Sequence, residues 1–345
     1  MNRLARTVDG PTTTAAALCR HRGAFACFQR GPDRTGKRPA RTLVSRAACR
    51  RWNGVRPATT AGGATFAVVG ERDAEERMAG GRNDGATRAG STVRRRTGEH
   101  TAGVHALLRH LRAVGFTRAP EVLGIDEQGR EVLTHLDGET VGDRRPWPAW
   151  AHGEAALVAA GEWMRDFHRA SRSFTPPPDA HWFGDHDELR AGEVVGHHDA
   201  APYNAVWRPA PTASGPEDGH LVGFVDWDLA GPAEPLRDLA FLALTWVPLT
   251  APDIARGDGF APGTDRPRRL RLLLDAYGWR GSTEEVLRAV RERALQHADG
   301  LERAAAEGYG PAVDLVAEGV AEDFRRAVTT LEADTPWLLG ARGEE

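Results

Sequence analysis

The chain has 345 residues, of which 41% are hydrophobic and 27% are charged, a composition ordinary for a soluble globular protein. No apolar run approaches the roughly 20 residues that a membrane helix needs, and the N-terminus lacks the apolar stretch of a secretory signal. We therefore expect a cytoplasmic protein that does not contact a membrane, with one large domain or two modest ones.

Residues 1–77 differ in charge from the rest of the chain, with a net charge of +9 against −12 for the remainder. All three cysteines (Cys19, Cys27 and Cys49) lie here in no zinc-binding pattern, so a disulfide framework is excluded further on. The segment lacks a sustained helix or strand period and is predicted to be a disordered or non-structural basic extension, untranslated if synthesis starts at Met78. A nucleic-acid-binding arm and a targeting peptide are the alternatives.

Residues 78–138 predict a small lobe of strands around one helix. The stretch "GGRNDGATRAGSTVRRR" (Gly80–Arg96) has glycine punctuation followed by a β-prone run, typical of strand, turn and strand. The next stretch, "TAGVHALLRHLRAVG", places five aliphatic side chains on one helical face, with Thr101 to cap its start and Gly115 to end it. Two apolar runs, "EVLGI" and "REVLTHL", then flank "DEQG" and predict a hairpin.

Residues 139–340 predict a larger, mainly helical lobe. A strand is expected in "HLVGFVDWD" (220–228). Helices are expected over about 153–170, in "LRDLAFLALTWVPL", in "RPRRLRLLLDAYG" up to Gly278, after a capping box of Ser282 with Glu285, and over about 311–332. The whole is an α+β fold with a cleft between its two lobes.

The chemistry is concentrated in "GHHDAAPYN" (Gly196–Asn204) and in Asp226, which follows a strand. A phosphotransferase needs one carboxylate to accept a proton and two oxygen ligands to hold Mg²⁺ against the phosphates. Kinase catalytic loops space the first two groups as D-x-x-x-x-N and bring the third on a later strand. Asp199, Asn204 and Asp226 follow that order.

Together with "GFVDWDLAGPAEPLRDLA" (Gly223–Ala240), the loop resembles the aminoglycoside phosphotransferase family, whose relatives include choline kinases and protein kinases. The resemblance covers about residues 80–335. It implies a two-lobed, protein-kinase-like fold, with a small β-rich N-lobe and a larger helical C-lobe, and it implies ATP or GTP and Mg²⁺ as cofactors.

The resemblance also implies roles for individual residues. Asp199 is the expected catalytic base, Asn204 and Asp226 the expected Mg²⁺ ligands, and His197 a support for the loop backbone. Asp238 is expected to hold backbone amides of the same loop.

Three neighbouring positions are less defined. Asp228 and Trp227 are candidate substrate contacts, with solvation of Asp228 and core packing of Trp227 as alternatives. His198 occupies a variable position of the loop and is expected to be a bystander.

The small lobe is expected to bind the nucleotide through the hairpin glycine Gly85, Leu136 and a strand cation. The usual cation is lysine, but the only lysine is Lys37, so Arg94 or Arg95 must serve. Because side chains alternate along a strand, only one of the two arginines can face the cleft.

The first helix lacks the glutamate that usually anchors this cation. His105 occupies a plausible inward position, and Glu99 lies just upstream as a substitute.

The predicted function is transfer of the γ-phosphate of ATP or GTP to a hydroxyl of a small molecule by a monomer or dimer. The charge of −12 on the folded part favours a cationic acceptor, an aminoglycoside or amino alcohol, and no nucleic acid. One alternative is a pseudoenzyme or a nucleotide- or small-molecule-binding module. A second is a metal hydrolase built on "GHHD" and "GDHDE" (Gly184–Glu188).

Overall fold

The structure is a computed structural model. It describes residues 75–78, 86–142, 144–183, 188–210 and 219–340. Lys37, the three cysteines and Gly85 lie outside these ranges, as does almost all of the predicted extension.

Five antiparallel strands form one sheet in the order β1-β2-β3-β5-β4. The strands are β1 (Glu76–Arg77), β2 (Thr87–Ala89), β3 (Thr92–Arg96), β4 (Val122–Ile125) and β5 (Arg130–Thr134). The β2–β3 turn uses Gly90 at a φ of 58°, a left-handed conformation that glycine adopts without steric cost. The predicted strand pair and hairpin are confirmed, and the sheet begins at β1, within the last residues assigned to the extension.

Helix α1 (Thr101–Ala113) joins β3 to β4 and buries Leu107, Leu108 and Leu111. Gly115 follows its end at a φ of 86°, as predicted. The expected cap at Thr101 is wrong, because the N-cap residue is His100 and the Thr101 hydroxyl accepts a hydrogen bond from the Gly98 amide at 2.8 Å.

Helices dominate the rest of the described chain. They are α2 (Glu154–Ser171), α3 (Pro235–Trp246), α4 (Pro252–Asp258), α5 (Arg266–Tyr277), α6 (Thr283–Ala306), α7 (Gly310–Ala317) and α8 (Val320–Leu338). The helix predicted over about 153–170 is confirmed as α2, and the large apolar side chains of one face, including Trp163, Met164 and Phe167, are buried. The capping box of Ser282 and Glu285 is present at the start of α6. The sheet followed by these helices confirms the predicted α+β architecture.

The single helix predicted over about 311–332 is two helices. α7 ends at Ala317, and α8 begins after Gly319, whose φ of 82° takes it out of the right-handed helix. Because the apolar pattern continues across the break, periodicity alone did not show it.

Two short strand pairs carry the candidate site. β6 (Val194–Gly196) pairs with β9 (Gly231–Ala233), and β7 (Ala205–Pro209) pairs with β8 (Gly219–Phe224). The loop 197–204 joins β6 to β7, and the segment 225–230 joins β8 to β9. The loop with Asp199 and Asn204 is therefore followed by a strand that leads to Asp226, as predicted. Within the described ranges, no helix has the length and apolar character needed to cross a membrane.

Candidate active site

The loop after β6 is fixed by the carboxylate of Asp238, on the first turn of α3. Its two oxygens accept hydrogen bonds from the backbone amides of His197 at 2.9 Å and His198 at 2.8 Å. A Cβ at Gly196 would lie 2.9 Å from Asp238 Oδ2, so the close approach requires glycine. The prediction that Asp238 holds the loop amides is confirmed.

Asp238 is itself buried and is held by a hydrogen bond with a histidine of α2. His168 Nε2, on α2, lies 3.0 Å from Asp238 Oδ2, and His168 Nδ1 lies 2.9 Å from the Tyr277 hydroxyl. Burial alone would raise the pKa of Asp238, but the hydrogen bond from His168 and the neighbouring histidines outweigh it and hold the pKa well below its usual range. The charged carboxylate therefore ties the loop to α3 and α2, and His168 extends the connection to Tyr277 on α5.

Both loop histidines have structural contacts. His197 Nδ1 accepts a hydrogen bond from the Asp199 amide at 3.3 Å, and burial lowers the pKa of His197 to about 4. His198 has a left-handed backbone, with a φ of 62°, and its Nε2 lies 2.9 Å from the Gly231 carbonyl oxygen in β9. A strained non-glycine residue held this firmly is typical of a functional loop.

Asp199 lies at the centre of the site and is only 1% exposed. Its Oδ1 accepts a hydrogen bond from the Tyr203 hydroxyl at 2.7 Å, and its Oδ2 accepts one from Asn204 Nδ2 at 2.8 Å. Burial, followed by the charge of Asp226, raises the pKa of Asp199 well above its usual value. A buried carboxylate with a raised pKa can take up a proton, which is the property a general base needs.

Asp226 follows β8 with a φ of 63°, a second left-handed residue beside the loop. The Val225 amide donates to the Asn204 carbonyl oxygen at 2.9 Å, so the segments carrying Asn204 and Asp226 are held side by side. Burial and the charge of Asp228 raise the pKa of Asp226, while Arg95 opposes the shift. The fold thus brings the segments of two predicted Mg²⁺ ligands, Asn204 and Asp226, next to each other although they are distant in sequence.

The structure distinguishes Arg95 from Arg94. Arg95 Nη1 lies 3.2 Å from Asp226 Oδ1, and Arg95 Nη2 contacts Asp228. Arg94 points to the other side of the sheet, 3.9 Å from Asp126 and 4.0 Å from Glu75. The alternation along β3 therefore turns Arg95, and not Arg94, towards the loop residues.

Glu131 is the residue that sequence reasoning missed. It lies opposite Arg95 in the β3–β5 register, is 2% exposed, and accepts a hydrogen bond from Arg95 Nε at 2.8 Å. Its other oxygen lies 2.9 Å from His105 Nε2 on α1. The strand glutamate that pairs with Arg95 is thus linked by His105 to α1, whereas Glu99, the expected substitute, is exposed.

Charge balance keeps this arginine cationic. Burial opposes the charge on Arg95, but Asp228, Asp226 and Glu131 outweigh it and hold the pKa of Arg95 well above its usual range. The pKa of Glu131 is lowered, because the hydrogen bond from His105 and the charge of Arg95 outweigh its burial. The only signal in the sequence was an acid on the strand that neighbours the cation, and finding it required the strand register.

The two candidate substrate contacts have different environments. Asp228 pairs with Arg95, and His100 Nε2 lies 3.6 Å from Asp228 Oδ1; these partners outweigh burial and lower its pKa. Trp227 is 2% exposed, and its ring centroid lies 4.5 Å from that of His197. That placement corrects the assignment of its side chain to substrate, because Trp227 packs in the core.

Of Gly85 and Leu136, both predicted to contact the nucleotide, only Leu136 lies within the described residues. It is half-buried, and a Cβ at Gly223 would lie 3.3 Å from Leu136 Cδ1. This places Leu136 against β8, immediately before the segment that carries Asp226.

The donor set fits Mg²⁺ better than zinc. Asn204 and Asp226 offer amide and carboxylate oxygens, which Mg²⁺ prefers. Across the described part of the chain, no group of three or more His, Cys, Asp or Glu residues is arranged to hold a metal ion. The histidines of "GHHD" are engaged with loop and β9 backbone atoms, and residues 184–187 of the second hydrolase cluster are not described.

The class of protein that the chain resembles is the phosphotransferases. A family model described as "Phosphotransferase enzyme family" matches residues 180–273, which include the loop and Asp226. The trifolitoxin immunity protein of Rhizobium leguminosarum bv. trifolii is 39% identical over 207 residues, covering 58% of this chain and 73% of that protein. The chain belongs to the phosphotransferase enzyme family.

The solved structures that are similar to this chain include two with low sequence identity. A choline/ethanolamine kinase family protein from Mesorhizobium loti is 19% identical with a TM-score of 0.44, covering 79% of this chain and 90% of that one. Aminoglycoside phosphotransferase APH(3'')-Id from Streptomyces rimosus, solved with ADP and streptomycin, is 16% identical with a TM-score of 0.41, covering 67% and 93%.

Proposed function

We propose that the protein transfers the γ-phosphate of ATP or GTP to a hydroxyl of a small molecule. The observation that carries the proposal is the convergence of a buried base, two oxygen ligands and one cation: Asp199, Asn204, Asp226 and Arg95. Phosphoryl transfer requires positioning and charge stabilisation more than covalent participation, and this site supplies both.

In the proposed reaction, Asp199 accepts a hydrogen bond from the acceptor hydroxyl and orients its oxygen. As a bond forms between that oxygen and the γ-phosphorus, the bond from the γ-phosphorus to the bridging oxygen breaks, and Asp199 takes up the hydroxyl proton. The products are a phosphomonoester and a nucleoside diphosphate. Asn204 keeps the carboxylate oriented through its hydrogen bond to Oδ2.

The proposed cofactors are the nucleotide and Mg²⁺. When bound, Mg²⁺ supplies charge neutralisation at the phosphates, and Asn204 and Asp226 are the residues that would hold it. Arg95 supplies a fixed positive charge to the same phosphates, oriented by Glu131. The relative's name connects it with immunity to trifolitoxin, which supports an acceptor that is itself a toxic compound.

The test is nucleotide-dependent phosphorylation of an acceptor panel, with Asp199→Asn and Asp226→Asn as variants. We expect the loss of the base to lower kcat by about 10²–10⁴-fold, and Asp226→Asn to remove Mg²⁺-dependent turnover while the protein stays folded. Asp137→Asn is the matched control, because its side chain is 82% exposed and it pairs with Arg208. Wild-type turnover in Asp226→Asn would reject the metal assignment.

The second candidate is a binding module without turnover. It is favoured by one observation, the ion pair of Arg95 with Asp226, which engages a proposed metal ligand. Nucleotide binding with no phosphoryl transfer to any acceptor of a broad panel would support this candidate over the enzyme.

A further inference from the structure

A cavity of about 570 Å³, counting the part open to solvent, lies beside the catalytic loop. Side chains from the loop, from the end of α3, from α4 and from α8 line it. Its apolar lining includes Trp147, Leu244, Ile254, Val320 and Phe324.

Tyr203 connects this cavity to the proposed base. Its side chain lines the cavity, and its hydroxyl donates to Asp199 Oδ1 at 2.7 Å. Asp199 is 1% exposed and is not among the lining residues, so the Tyr203 side chain is the group through which the cavity meets the base. Because a carboxylate oxygen can accept a second hydrogen bond, we expect an acceptor hydroxyl beside Tyr203 to reach Asp199 Oδ1.

The charged groups in the lining are neutralised within the protein. Arg145 forms an ion pair with Asp258, and Asp323 lies 3.1 Å from Arg326. Arg145 also stacks over Trp147 at 5.3 Å. A polycationic acceptor would place several ammonium groups against this apolar lining with its carboxylates already paired, and burying charge in that way is unfavourable.

We propose that the acceptor presents its hydroxyl on a mainly apolar, uncharged or singly charged body, and that this cavity binds that body. The inference rests on the proposed function and refines it. It also replaces the expectation of a cationic acceptor, because the two carboxylates in the cavity lining, Asp258 and Asp323, are already paired with arginines. Tyr203 becomes a specificity residue at the boundary between base and cavity.

The test compares binding of 3-phenylpropan-1-ol, 4-phenylphenol and streptomycin to the wild-type protein and to Ile254→Asp. Ile254 is half-buried in the cavity lining, so the new carboxylate changes its polarity without entering the core. Val313→Asp is the matched control, because Val313 is 44% exposed and is not among the lining residues. Affinities are measured by ligand-observed NMR, with ATP–Mg²⁺ binding measured in parallel.

We expect both hydroxy compounds to bind more tightly than streptomycin. Ile254→Asp should weaken them at least tenfold, while Val313→Asp should not, and neither variant should alter ATP–Mg²⁺ binding. Tighter binding of streptomycin, no binding of the apolar compounds, or no effect of Ile254→Asp would each overturn the inference. Failure of the wild-type protein to bind ATP–Mg²⁺ would instead contradict the proposed function, since binding in the cavity is measured without nucleotide.

Discussion

Two consecutive arginines on β3 show how register decides chemistry. The sequence predicted that one of Arg94 and Arg95 faces the cleft, but not which one. Side chains alternate along a strand, so the two arginines must point to opposite faces of the sheet, but alternation does not show which face lies towards the cleft. In the structure, Arg95 contacts Asp226 and Asp228, whereas Arg94 lies beside Glu75 and Asp126. We expect Arg95→Ala to weaken nucleotide binding at least tenfold by calorimetry, since a bidentate phosphate contact is lost.

Arg94→Ala is the matched control for this prediction. Its ion pairs are 3.9 Å or longer and partly exposed, so they contribute about 0–1 kcal/mol. Equal losses of nucleotide affinity in both variants would contradict the assignment of the cation to Arg95.

Glu131 was not predicted, because its role depends on a cross-strand neighbour and not on local pattern. We expect Glu131→Gln to destabilise the fold by about 1–3 kcal/mol, since it removes the charged acceptor of a buried donor. It should also raise the nucleotide Kd, because Arg95 loses its orienting partner. Urea unfolding and calorimetry measure the two effects.

The exposed Glu99 provides the comparison for Glu131. Glu99→Gln should leave both the free energy of unfolding and the nucleotide Kd within error of the wild-type values. A larger effect on nucleotide binding from Glu99→Gln than from Glu131→Gln would reject the proposed partner of Arg95.

For individual helices and strands, the local sequence was sufficient to predict an element where residues within that element mark its start, its end or its buried face. The capping box of Ser282 and the buried stripe of α2 predicted helices that the structure contains. The break at Gly319 was missed because an isolated glycine within an apolar pattern does not by itself reveal its φ. The loop motif predicted which groups meet, but their burial and hydrogen bonds depend on packing between distant elements.

Asp238 connects those elements, so its charge should matter for stability. We expect Asp238→Asn to lower the free energy of unfolding by about 3–5 kcal/mol at pH 7, as for other broken buried charge networks. Because the folded pKa is depressed, this contribution is present above the unfolded value near pH 4 and is lost as the pH falls below it. Urea unfolding of both proteins at pH 7 and at a series of pH values from 4 downwards measures the difference.

Asp253 offers a matched comparison with Asp238. It also has a lowered pKa, through the hydrogen bond from Arg326, but its side chain is 57% exposed. We expect Asp253→Asn to cost about 0–1 kcal/mol. Equal costs for the two variants would show that the loop does not depend on Asp238.

For the whole molecule, we expect buried neutral histidines to lower the free energy of unfolding as the pH becomes acidic. His297 packs between Phe241 and Phe324, and burial, followed by the charges of Arg293 and Arg237, holds its pKa well below 6.5. The unfolded chain binds a proton near pH 6.5 that the folded chain does not, so stability falls as the pH drops below that value.

Substitution of this histidine should therefore flatten the pH dependence of stability. Between pH 6 and pH 4.5, we expect the free energy of unfolding of His297→Phe to change by up to about 1.4 kcal/mol less per pH unit than that of the wild-type protein. Parallel stability curves for the two proteins would show that His297 does not stay neutral in the fold.

The described residues of the proposed site include no lysine, yet we expect the site to bind a nucleotide with Mg²⁺ for phosphoryl transfer. The most direct measurement is the thermal unfolding midpoint with ATP, with and without Mg²⁺, for the wild-type protein and Asp226→Ala. We predict a rise in the wild-type midpoint that is larger with Mg²⁺, because binding to the folded state stabilises it, and loss of the Mg²⁺-dependent part in Asp226→Ala. A wild-type midpoint unchanged by ATP and by GTP at millimolar concentration, with or without Mg²⁺, would contradict the account.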